Sequence, residues 1–202
     1  MQRFLKISFI VAFFVFTACN KPPRQDDEAK ILPQNAAQAA DYKTVTIGAK
    51  TWMAANIAAT VDKDGNKITC YANIKEDPDF IKKYGCLYTW HDALKVCPKG
   101  WHLPEEGDFE SLLNAAGSSP LECSQKLRAQ NWSNGADKYG FAALPVGYYS
   151  GDSYKNLGDY AHLWSSTPAN SSYAYTLNLG YHLADLGESA KHLAHSVRCL
   201  KD

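Results

Sequence analysis

Along the stretch from Tyr88 to Pro104, Trp90, Leu94 and Cys97 recur at i, i+4 and i+7. That spacing predicts a short helix from about Thr89 to Cys97 with those three residues on its buried stripe, stopped by Pro98 and Gly100. Trp101 and Leu103 then alternate with Lys99 and His102, the period of a brief extended segment. A second apolar stripe, Phe109, Leu112, Leu113 and Ala116, predicts a second helix ended by Gly117. Its first turns carry Glu105, Glu106, Asp108 and Glu110, where the helix dipole favours negative charge, so the crowded acids are explained without a metal or an acid/base pair.

Elsewhere the pattern alternates or breaks into short runs. Lys43 to Ala54 alternates on both sides of Gly48 and reads as an opening hairpin, with Trp52 and Met53 entering the core. Val61 to Lys67 has acids but not the spacing of a calcium loop, and Asp64-Gly65 is read as a hairpin turn. Phe141 to Leu144, Leu163 to Thr167, Tyr173 to Leu179 and Leu193 to Leu200 are expected strands separated by polar turns. Two helices early and several strands late predict an α+β domain.

The first 19 residues have another pattern. Arg3 and Lys6 precede the apolar run Ile7 to Phe16, which is too short to span a bilayer and reads as a secretory leader. Phe16-Thr17-Ala18-Cys19 resembles a bacterial lipobox, which implies cleavage after residue 18 and lipidation of Cys19. Residues 19–40, rich in Pro, Gln, Ala and charge, read as a lipid-anchored flexible linker. The acidic run Gln25 to Glu28 within it resembles an export tag of Bacteroidetes-type lipoproteins. The expected domain is then 41–202, tethered to the outer membrane at the cell surface or the periplasmic face.

Export changes the reading of the cysteines, because disulfides persist in oxidising compartments. Cys97 on the buried side of the first predicted helix has a natural partner in Cys199 of the last strand-like run, and Cys70 is expected to pair with Cys86. Cys123 is left over, in a stretch that reads as an exposed loop or a buried thiol. Spacing alone decides none of these pairings. Basic and acidic side chains balance at 21 each, so a basic nucleic-acid footprint is absent and no nucleic-acid partner is expected.

The candidate chemistry is thin. Of six histidines, His192 and His195 have a metal-compatible spacing without companions, and His91 and His102 lie on different predicted elements. Ser165 and Ser166 lack a nucleophile elbow, and no phosphate loop occurs. No cofactor or metal is implied. Twelve Tyr and five Trp are instead a heavy aromatic load, concentrated in the loop-rich half. Tyr148, Tyr149, Tyr154, Tyr160 and Trp164 are the candidate ligand-binding residues, since aromatic rings bury much area at small entropic cost.

Six ordered blocks carry a resemblance. They are Gly48-x3-Trp52-Met53-Ala54-x-Asn56, Tyr84-Gly85-x-Leu87-Tyr88-Thr89-Trp90, Cys97-Pro98-x-Gly100-Trp101-His102-Leu103-Pro104, Tyr139-Gly140-Phe141-x-Ala143-Leu144-Pro145-x-Gly147, Trp164-Ser165-Ser166-Thr167 and Ser196-Val197-Arg198-Cys199. Together they resemble the Fibrobacter succinogenes major paralogous domain of bacterial lipoproteins and secreted proteins, over about Thr44 to Asp202. Cys86 and Gly107 depart from that pattern.

A looser resemblance runs to the C-type lectin-like fold and the formylglycine-generating sulfatase-modifying domain. In the lectin-like fold the helix cysteine joins one in the final strand, which implies the Cys97–Cys199 pairing again. The calcium motifs of sugar-binding lectins and the cysteine pair of the formylglycine-generating enzyme have no counterpart. The resulting expectation is a non-catalytic envelope lipoprotein that binds an extracellular glycan or an envelope protein. The alternatives are a sulfatase-modifying-like or hydrolytic enzyme on the same scaffold, or a structural subunit of an envelope assembly.

Overall fold

The computed structural model describes residues 42–72, 77 and 79–202; the leader, Cys19, the linker and its acidic run lie outside the described residues. The domain is α+β, with four helices and two sheets among the described residues. The chain opens with the expected hairpin, β1 (Thr44–Ile47) and β2 (Lys50–Met53), antiparallel about the Gly48 turn. Val61 and Lys67 then bridge across the Asp64-Gly65 turn. The Asp62 carboxylate accepts from the backbone N–H groups of Asp64 and Asn66, so this acid ties a turn.

Helix α1 (Phe80–Tyr84) and strand β3 (Leu87–Thr89) lead into α2 (Trp90–Val96). The Thr89 hydroxyl caps α2 by accepting from the Asp92 N–H, and the chain turns extended at Cys97 before Pro98. The buried face of α2 is Trp90, Ala93 and Val96; Leu94, expected inside, is 43% exposed. Seven residues make barely two turns, and the i+3 neighbour of Trp90 lies nearer the core than the i+4 neighbour. After β4 (Trp101–His102), α3 (Glu106–Ala116) starts where the acids predicted: the Asp108 carboxylate accepts from the Glu105 N–H, and Phe109, Leu112 and Ala116 are buried.

Helix α4 (Pro120–Leu127) was not expected. It carries the N-terminal signature of a Ser119 cap followed by proline, and it buries Cys123 at a site read from sequence as a candidate loop. Phe141 to Leu144 forms no strand; only a single bridge joins Arg128 to Ala143. The short strands β5 (Tyr148–Tyr149) and β6 (Tyr154–Lys155) precede the long antiparallel β7 (Ala161–Pro168), β8 (Tyr173–Leu179) and β9 (Ala184–Ala190). The expected last strand is broken into β10 (Ala194–Ser196) and β11 (Leu200–Lys201).

That break joins the two sheets. β10 lies between β5 and β7 in the order β6-β5-β10-β7-β8-β9, with β3 also paired to it, while β11 lies between β2 and β4 in the order β1-β2-β11-β4. Between them Val197 and Cys199 accept from the Ile57 and Met53 N–H groups. Cys199 is bonded to Cys97, and Cys70 to Cys86. The final residues therefore belong to both sheets and to the disulfide beside α2.

Candidate functional site

Strands β7, β8 and β9 share a register that sorts their side chains by face. Leu163, Leu177 and Leu186 align across the three strands, as do Ala161, Leu179 and Ala184. This face is the apolar one, packed in a core with Trp52, Phe109, Leu112, Leu127 and Phe141. The alternate positions form two other rows, His162 with Asn178 and Asp185, and Trp164 with Thr176 and Gly187. One row is polar and half-buried at every position.

The hydrogen bonds in that row follow from one fixed end. The Asp185 carboxylate can only accept, so the Asn178 amide presents Nδ2 to it at 3.2 Å. Asn178 Oδ1 then faces the other way, accepting from the Thr176 hydroxyl at 3.1 Å and lying 2.8 Å from His162 Nδ1. His162 Nδ1 must carry the proton, which leaves Nε2 with its lone pair. Gly187 makes the arrangement possible, since a Cβ there would come 2.5 Å from Asn178 Nδ2.

Aromatic rings pack on the His162 end of the row. Tyr160 stacks on His162 at 5.8 Å between ring centroids, and Tyr148 meets the same imidazole edge-on at 5.6 Å. A Cβ at position 180 would run into the Tyr160 ring, 2.6 Å from Cε1, so Gly180 gives that ring its seat. Behind lies His195, fully buried against Trp164 at 4.4 Å, with Nε2 2.6 Å from the Ser189 hydroxyl. Burial drives the His195 imidazole well below its ordinary range, and neighbouring His162 pushes the same way. Burial also lowers His162, so both rings are neutral at pH 7.

The five aromatic residues singled out in the sequence divide into two groups. Tyr148, Tyr160 and Trp164 meet at the histidines. Tyr149, one position along β5 and hence on its other side, stacks on Tyr71 at 5.0 Å and packs against Tyr154 at 5.2 Å. The four tyrosines are all half-buried. Trp164 is 0% exposed, its indole N–H donating to the Tyr88 carbonyl, so it is a core residue and does not face a ligand. Tyr154 is also drawn inward, and burial pushes its hydroxyl up to about 12.

Sequence reading missed His162, Asn178, Asp185 and Ser189. The alternation in Tyr173 to Leu179 was visible, but placing Asn178 opposite Asp185 and His162 needs the register of three strands. Of the other candidates, Ser165 is buried and accepts from the Thr167 N–H, and exposed His192 does not share a site with His195. Among the described residues no group of three His, Cys, Asp or Glu is placed to hold a metal. A cleft of about 470 Å³ lies elsewhere, against the Cys97 disulfide, lined by Leu94, Trp101, His102 and Glu105 and by none of the predicted tyrosines.

Residues 45–201 match the family model described as the Fibrobacter succinogenes major domain. The chain belongs to that family. Apart from Thr44 at the start of β1, both sheets, both disulfides and the polar row lie within the matched residues. No curated protein and no solved structure matches the chain.

Proposed function

We propose that this Fibrobacter succinogenes major domain is the head of a non-catalytic lipoprotein, anchored through lipid on Cys19 in the outer membrane, and that its polar sheet face binds an extracellular glycan. The observation that carries the reading is the half-buried row His162, Asn178 and Asp185, with Tyr148 and Tyr160 packed on the His162 ring at one end. Sugars present hydroxyls that both donate and accept beside apolar C–H faces. An amide and a carboxylate held together by their hydrogen bond suit the hydroxyls, and tyrosine rings suit the C–H faces. A C-type lectin-like architecture, proposed from the helix and tail cysteines, agrees with that use.

Ser189 and His195 are the feature that most favours an enzyme, standing 2.6 Å apart. Nucleophilic catalysis needs a group orienting the far imidazole nitrogen, and His195 Nδ1 has no hydrogen-bond partner among the described residues. The pair is better read as structural.

A glycan array probed with the domain from residue 41 onward tests the binding reading; retention of no glycan would remove it. For the anchor, acyl chains at roughly 0.8 kcal/mol per buried methylene hold the chain in the membrane fraction, and Cys19→Ala is expected to release it. A Cys19→Ala protein that stays with the membrane would contradict the tether.

A further inference from the structure

Arg128 caps the C-terminal end of α4 and is 1% exposed, yet its charge has no partner. No ion pair among the described residues includes it. Its guanidinium lies between two rings, 5.1 Å from the centre of Trp132 and 5.7 Å from that of Tyr181. Two long hydrogen bonds hold it, Nε to the Ser124 carbonyl at 3.3 Å and Nη2 to the Tyr181 carbonyl at 3.4 Å. Nη1 is buried with no acceptor, and so is the indole Nε1 of the stacked Trp132.

Both unpaired groups donate and neither accepts, so whatever satisfies them must be an acceptor. An anionic acceptor would meet the guanidinium charge as well as the two free donors, and charge-assisted hydrogen bonds of that kind are the stronger ones. Arg198, the other buried arginine, differs: it donates through Nη1 to the Phe141 carbonyl and through Nη2 to Asn56 Oδ1 at 2.8 Å, leaving only Nε. Arg198 is tied as a structural strut, whereas Arg128 is held loosely with a donor to spare.

We propose that Arg128 and Trp132 form an oxyanion-binding site closed by Tyr181. Two oxygens of one carboxylate or sulfate would take one donor each, the guanidinium supplying the charge. Tyr181 is 45% exposed and lies outside the strands, in the turn after β8 that the Gly180 N–H closes on the Leu183 carbonyl, so a change of its rotamer would open the site without breaking a strand. The site uses none of the residues of the polar row and does not depend on the glycan reading. Its chemistry fits either the carboxylate of an acidic sugar or a free inorganic oxyanion.

The test is a titration of the purified chain, labelled with nitrogen-15 in tryptophan, followed at the Trp132 indole N–H. Sodium glucuronate, sodium sulfate and glucose are added at matched ionic strength. A saturable shift with glucuronate alone assigns the site to an acidic sugar, with sulfate alone to a free inorganic oxyanion, and with both to either source. Glucose is expected to leave the resonance in place. Arg128→Lys keeps the charge but loses the planar fork, and is expected to weaken binding about tenfold or more. Should that variant fail to fold, Trp132→Phe, read by calorimetry, is expected to weaken binding severalfold. No saturable shift with either anion, an equal shift with glucose, or a folded Arg128→Lys that binds as tightly as the parent would overturn the proposal.

Discussion

His195 shows how far a single side chain departs from what its neighbours in sequence suggest. The spacing to His192 invites a metal, yet His195 lies in β10, buried at every position and here against Trp164, while His192 stands exposed in the turn before that strand. Its folded pKa lies below the unfolded value near 6.5, as does that of His162. The unfolded chain therefore takes up protons first as pH falls. Stability from these two groups is complete above pH 6.5 and is lost as pH drops from 6.5 toward their lower folded values. Urea unfolding between pH 7 and pH 5 is expected to show a decline of up to about 1.4 kcal/mol per pH unit for each proton, and His162→Gln with His195→Gln to flatten it. A parent protein equally stable across that range would contradict the buried neutral pair.

At the scale of elements, local pattern was most legible where it was strongest. The β1–β2 hairpin, the stripe and acidic start of α3, and β8 with its strict alternation all stand where the sequence placed them. β9 reads Ala-Asp-Leu-Gly-Glu-Ser-Ala, too polar and too poor in branched residues to signal a strand by itself, and only its pairing with β8 makes it one. Helix α4 has just eight residues and a single strong signal, its Ser-Pro start. Of the expected α2 stripe, Trp90 and Cys97 are buried and Leu94 is not, its place being taken by Ala93 and Val96, which a pair of substitutions checks. Leu94→Ser is expected to change stability by no more than about 0.5 kcal/mol, whereas Val96→Ala, which empties a buried position, should cost about 2 kcal/mol. Equal losses in chemical denaturation would contradict the observed face.

For the molecule as a whole, the closing elements come last in the chain. β10 and β11 each fill a gap in a different sheet, and the disulfide between Cys97 and Cys199 spans a sequence separation of 102 against 16 for Cys70 and Cys86. In the chain-entropy model the long closure contributes about 4.7 kcal/mol and the short one about 3 kcal/mol. Cys97→Ala with Cys199→Ala should therefore lower the melting temperature more than Cys70→Ala with Cys86→Ala; the reverse order would place the main covalent constraint elsewhere. The amphipathic helix and the cysteine in the tail made this closure readable in advance. The polar row was not readable, because its members come from three strands whose register no local period encodes.

Binding at the polar row makes glycan retention depend on Asn178 and Tyr160. Array binding by the parent domain, by Asn178→Ala and by Tyr160→Ala, each first checked for an unchanged thermal transition, is the most direct measurement. Glycans retained by the parent and lost by about tenfold or more in both variants are the predicted result. Glycans retained equally by all three proteins would contradict it.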